Sequence, residues 1–237
     1  MGLPAWVWFA VAVVAALLGV AVLLRDRARV TARSRERRSW AATRGWQFAD
    51  VDEVLPDQWH AGGIGFEGGG VARDVVAGST FTADGRRRVY VFDLESGGRI
   101  GSTVVAVQCR RTAPAVVELW LPSVPFQRDQ MPELLGPVGQ RYAFVSDMAA
   151  AREMVNPELV DAVDFIGGDV TVAWFEAGWV LASAPPNASP IRLERLLRAI
   201  GELADVIDPF DAEVDPVGEP EHRSGRHGQP GQPGQQD

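Results

Sequence analysis

The chain has 237 residues, a net charge of −8 and a single cysteine. Its charge is split: from Arg25 to Arg44 eight arginines stand against Asp26 and Glu36, a net of +6, and from Gly45 to Asp237 fifteen arginines stand against twenty-nine acids, a net of −14. A body that acidic repels nucleic-acid phosphates, which excludes DNA or RNA as a partner, and the lone Cys109 excludes an intrachain disulfide. Every basic residue is an arginine, and with the wealth of Ala, Gly and Val this marks a high-GC bacterial genome.

Residues 1–24 are read as a transmembrane anchor. Ala5 to Leu24 carries no charge, and twenty helical residues at about 1.5 Å each span roughly 30 Å, the thickness of a hydrocarbon core. Trp6 and Trp8 stand at its start, where amphipathic rings favour the membrane–water interface. Arg25, Arg27, Arg29, Arg33, Arg35, Arg37 and Arg38 follow on an arginine-rich juxtamembrane helix, 25–44, which Gly45 closes. With no charged side chain before the run, the positive-inside rule puts the N-terminus outside and the body in the cytoplasm, a single pass through the plasma membrane. These two tryptophans and seven arginines are the candidate membrane-interface residues, and their expected partner is a bilayer with anionic headgroups. The rival readings are an exported body and a cleaved secretory signal, for which Val22-Leu23-Leu24-Arg25 offers no small-x-small site.

From residue 45 to 208 the pattern predicts one α+β domain. Trp46 to Phe48 alternates like a short strand, and Asp50 to Trp59 resembles a short acidic helical turn limited by Pro56. His60 to Gly70 is glycine-rich and contains G-x-G-x-x-G at Gly63, Gly65 and Gly68. No buried strand precedes that motif and no helix follows it, so it is read as a turning loop and not as a phosphate site. A hairpin follows, Val75 to Phe81 and Arg88 to Glu95 about the turn Ala83-Asp84-Gly85, with Tyr90, Phe92 and Leu94 on one face and Asp93 and Glu95 on the other. Thr103 to Cys109 is almost continuously apolar, a central strand in which Cys109 is a buried small hydrophobe. Ala115 to Leu121 is the next strand.

Pro122 to Pro137 reads as a loop with a brief helix at Pro132–Leu135, and Arg141 to Val145 as a strand. Two short helices follow: Asp147 to Met154, and one started by Asn156-Pro157-Glu158, where asparagine caps and proline takes the first helical position. Glu158 and Asp161 there complement the helix dipole. Residues 169–175 and 178–184 form a second hairpin holding Trp174 and Trp179, and Ser189-Pro190 opens a last helix to about Ile207. On it Leu193, Leu196, Leu197, Ile200, Leu203, Ala204 and Ile207 recur at helical spacing, a stripe suited to covering the sheet. Residues 209–237, acidic and then rich in Gly, Pro and Gln, are expected to be a disordered tail.

The expected fold is therefore a mainly antiparallel sheet of six or seven strands with a packed C-terminal amphipathic helix. The alternative is a pleckstrin-homology-like barrel, in which 122–165 would be a long insertion. No catalytic, cofactor-binding or metal-ligating residue is assigned and no cofactor is expected: the three histidines, His60, His222 and His227, do not cluster.

The anchor, the arginine stretch, the Arg44-Gly45-Trp46 segment, the Asn156-Pro157-Glu158-Leu159-Val160 helix and the tryptophan hairpin together resemble a group of uncharacterised single-pass membrane proteins of actinobacteria. The resemblance spans most of residues 1–210 and implies no activity and no functional residue. The functional expectation is a membrane-tethered binding or scaffold module at the inner face of the plasma membrane, with an unidentified protein partner. The alternative is a membrane-anchored enzyme whose site is scattered through the sequence.

Overall fold

The apolar run and the arginine block form one continuous helix, α1 (Ala5–Thr43). A computed structural model describes residues 5–125 and 131–208, without the side chains of 5–11, 13, 23–24 and 26–30. Among the described residues no helix is long and apolar enough to cross a membrane, so the expected transmembrane anchor takes no support from that measure. What the structure does show is that Val14, Leu17, Leu18, Val20 and Val22 are each more than half exposed. Helix α1 ends at Gly45, whose φ of +67° turns the chain back while the Trp46 amide donates to the Ala41 carbonyl.

Nine strands follow: β1 (Gln47–Asp52), β2 (Val71–Thr82), β3 (Gly85–Ser96), β4 (Arg99–Gln108), β5 (Val117–Trp120), β6 (Glu133–Val138), β7 (Arg141–Val145), β8 (Val172–Glu176) and β9 (Trp179–Ala184). They make one open antiparallel sheet in the order β1-β2-β3-β4-β9-β8-β5-β7-β6. The α+β reading holds, and the barrel alternative is overturned because β1 and β6 end the sheet without pairing to each other. At one edge β1 is longer than expected, and at the other β6 is an additional strand. Residues 50–52, expected in a helical turn, extend β1, and Asp52 then accepts the Val54 and Leu55 amides to open a 3-10 turn at Leu55–Gln58. Residues 133–135, expected to be helical, belong to β6, because β7 offers them a ladder that local propensity cannot foresee.

Two hydrophobic layers sandwich the sheet. One face carries the end of α1 and the helices α3 (Met148–Met154), α4 (Pro157–Phe165) and α5 (Pro190–Ile207). Asp147 caps α3 and Asn156 caps α4 through their side chains, whereas Ser189 makes no such bond at α5. The other face is closed by the 3-10 turn and the five-residue helix α2 (Gly62–Phe66), which bury Trp59 and Ile64 against Phe92, Trp120, Trp174 and Leu181. The tail from 209 onward lies outside the described residues.

Candidate functional site

The candidate site is the junction where the arginine half of α1 meets the sheet. Its first contacts are Arg33, which donates to Asn187 Oδ1 at 2.7 Å, and Ser34, which donates to Asp74 Oδ1 at 2.8 Å. Asp74 has a φ of +48° at a bulge where the β2–β3 register shifts between Arg73 and Val76. One turn on, Arg37 Nη2 donates to Asp93 Oδ1 at 2.9 Å, and Thr103 donates to the same oxygen at 2.6 Å. Both side chains of that ion pair are only 6% exposed. Arg38 reaches Asp50 at 2.6 Å and covers the Phe48 ring at 4.7 Å. Trp40 Nε1 donates to Glu194 at 2.7 Å, and Arg44 pairs with the same carboxylate while lying over the Trp46 ring.

These partners come from β1, β2, β3, the β9–α5 connection and α5, so the helix is fixed from several directions. The buried pair is the centre of the clamp: removing one member leaves an uncompensated charge, at a cost of about 3–5 kcal/mol. The candidate interface residues therefore divide. Arg33, Arg37 and Arg38 are held by the domain, and Arg37, at 5% exposure, is withdrawn from any headgroup. Arg25 and Arg35 are exposed, and Trp6, Trp8, Arg27 and Arg29 lie outside the described side chains. The acceptors Asp74, Asp93, Asn187 and Glu194 were not foreseen. The one signal for Asp93 was an acid in the middle of an apolar strand, which reads equally well as a solvent-facing position.

Beside the clamp, between α1 and the edge of the sheet, is a groove of about 520 Å³. Arg35, Arg38, Asp50, Arg73, Asp74 and Glu95 line it, and Arg73 pairs with Glu95 at 2.6 Å across its floor.

The glycine-rich segment does different work from the loop expected of it. The His60 and Ala61 amides donate to Glu176 at 2.8 and 3.0 Å, and the Gly62 amide to the buried Glu118 at 3.0 Å. The amides that lead into α2 are thus taken by the chain's own carboxylates. A Cβ on Gly62 would lie 2.2 Å from the Trp174 ring, so the glycines serve close packing. The Cys109 thiol is pushed up to about 12, chiefly by burial, with Arg87 opposing, which makes it a poor nucleophile. Asp205 and Asp208, at the head of the acidic run, pair with the buried Arg87 at 2.7 and 3.0 Å. Among the described residues no group of three His, Cys, Asp or Glu side chains is placed to hold a metal ion.

The family described as trehalose monomycolate transport factor TtfA matches residues 4–237. The chain belongs to that family. A curated relative, trehalose monomycolate transport factor A of Mycolicibacterium smegmatis, is 26% identical over 201 residues, which cover 84% of this chain and 69% of the relative. The crystal structure of the mycobacterial transport factor A, TtfA, is similar with a TM-score of 0.64 and 26% identity, covering 73% of this chain and 93% of that one. The actinobacterial resemblance was sound, but the description of the group as uncharacterised is corrected: the transport-factor family is named for the movement of a mycolic acid lipid.

Proposed function

We propose that this protein is a non-enzymatic, membrane-tethered factor that assists the transport of trehalose monomycolate or a trehalose lipid of the same build. Membership of the transport-factor family carries the reading. The junction is consistent with it, because a helix that is bare and apolar at one end and locked into a sheet at the other holds a folded domain at a set distance from a bilayer. In this reading Ala5–Leu24 spans the plasma membrane once with its N-terminus outside. Trp6 and Trp8 mark the outer interface, and Arg25, Arg27 and Arg29 meet anionic headgroups on the cytoplasmic side. Domain 45–208 stands above that surface, and its other partner is the transporter that carries the lipid.

Depletion of the protein in its host tests the reading. The fraction of the trehalose lipid accessible from outside the intact plasma membrane is expected to fall while the total pool rises. An unchanged accessible fraction removes the transport reading. Orientation is checked separately with protease added to intact cells, which is expected to leave the domain whole; digestion would place the domain outside.

A further inference from the structure

The groove beside α1 has a composition that selects among the molecules found at a membrane surface. Its ionisable lining is Arg35, Arg38 and Arg73 against Asp50, Asp74 and Glu95, three charges of each sign. A balanced set gives no net field to hold a phosphate headgroup, but it presents alternating donors and acceptors, the complement of a neutral polyol. Arg38 and Ser34 engage only one oxygen each of Asp50 and Asp74, leaving the second oxygens of both carboxylates to accept from hydroxyls. Arg35 is exposed and makes no hydrogen bond or ion pair among the described residues. Val51, 40% exposed, and Ile100 add apolar surface of the kind that covers the C–H face of a sugar ring. At about 520 Å³ the groove falls within the ordinary size range of small-ligand sites.

Its position is equally informative. Thr31, Ser34, Arg35 and Arg38 share one face of α1. Stepping back from Thr31 by eleven and fourteen positions along that face reaches Val20 and Leu17, 53% and 64% exposed. Thr31 is seven residues beyond Leu24, roughly 10 Å along the helix, which sets the groove just above a headgroup layer when the apolar run is in the bilayer.

We propose that this groove binds the disaccharide headgroup of an acylated trehalose, with the acyl chain running down the Leu17–Val20 face of α1 into the bilayer. The proposal rests on the tethered transport reading and adds a ligand site to it. Sugar hydroxyls bridge the free oxygens of Asp50 and Asp74 to the Arg35 guanidinium, and the pairs Arg38–Asp50 and Arg73–Glu95 hold those groups in place before the ligand arrives.

The test uses the full-length chain in lipid nanodiscs, titrated in separate arms with a monoacyl trehalose ester, free trehalose and phosphatidylglycerol. Binding of the ester is expected to saturate, with free trehalose weaker by a large factor and phosphatidylglycerol failing to compete. Equal binding of free trehalose would overturn the lipid part of the proposal, and competition by phosphatidylglycerol would overturn the sugar specificity. Arg35→Ala and Asp50→Ala alter exposed side chains, and each is expected to weaken the ester several-fold with the melting temperature unchanged. Unchanged affinity in the double variant, or no saturable binding by the wild type, overturns the site. Either result leaves the transport reading standing if depletion still traps the lipid inside, since a scaffold need not bind its cargo.

Discussion

On one face of the sheet α5 lays Leu193, Leu196, Leu197, Ile200 and Leu203 against the strands, a helical stripe with ordinary side-chain spacing between backbones. On the other face α2 brings its backbone down onto Trp174 and Ser183 through Gly62 and Gly63, with tryptophans supplying the bulk. Both faces end equally dry, with Ile200 and Trp174 fully buried. The difference lies in what fills the space. A long helix stands off the sheet and fills the gap with its own side chains, whereas a five-residue helix has too few and must approach until the sheet's tryptophans fill the gap instead.

The comparison is broken most directly at Gly62. A methyl there meets the Trp174 ring at 2.2 Å on a residue with φ +57°, so Gly62→Ala is expected to cost about 3–5 kcal/mol, combining overpacking with left-handed strain. Gly68→Ala is the control. Its φ is +75° but nothing lies within 4 Å of the added carbon, so only the strain, about 1–2 kcal/mol, is expected. Equal losses in urea denaturation would mean that α2 does not approach the sheet closely.

On the helical face the failure has the opposite sign, a void in place of a clash. Ile200→Ala is expected to cost about 3 kcal/mol. A loss below about 0.5 kcal/mol would place the stripe at the surface and free α5 for a partner.

The smallest effect concerns Cys109, which packs against the helical face. Burial holds its thiol near 12 in the folded state, well above the ordinary range. The stability it contributes is complete below the unfolded value near 8.5 and is lost as pH rises from there towards 12, because the unfolded chain ionises first. Relative to Cys109→Ala, the wild type is expected to lose about 2 kcal/mol by pH 10, and its thiol to react with a disulfide reagent far more slowly folded than unfolded. Parallel pH profiles for the two proteins would mean that the thiol is solvated.

Sequence patterning on its own determined those parts of the molecule in which a residue's neighbours along the chain are also its physical environment. The period-two runs gave β2 and β3, a continuous apolar run gave β4, the tryptophan hairpin gave β8 and β9, and the 3.6-residue stripe gave α5 and its buried face. Asn156-Pro157 gave the start of α4 and Gly45 the end of α1. What the tertiary structure alone decided is everything set by a partner distant in sequence. Strand β6 exists because β7 pairs with it, and β8–β9 lies between β4 and β5 because the chain returns to fill that gap. The arginines after Leu24 look alike in sequence, yet Arg37 is buried on Asp93, 56 residues away, while Arg35 stays exposed at the mouth of a groove. A charge states what it can attract, but the distance and the dielectric that choose among its attractions are properties of the folded chain.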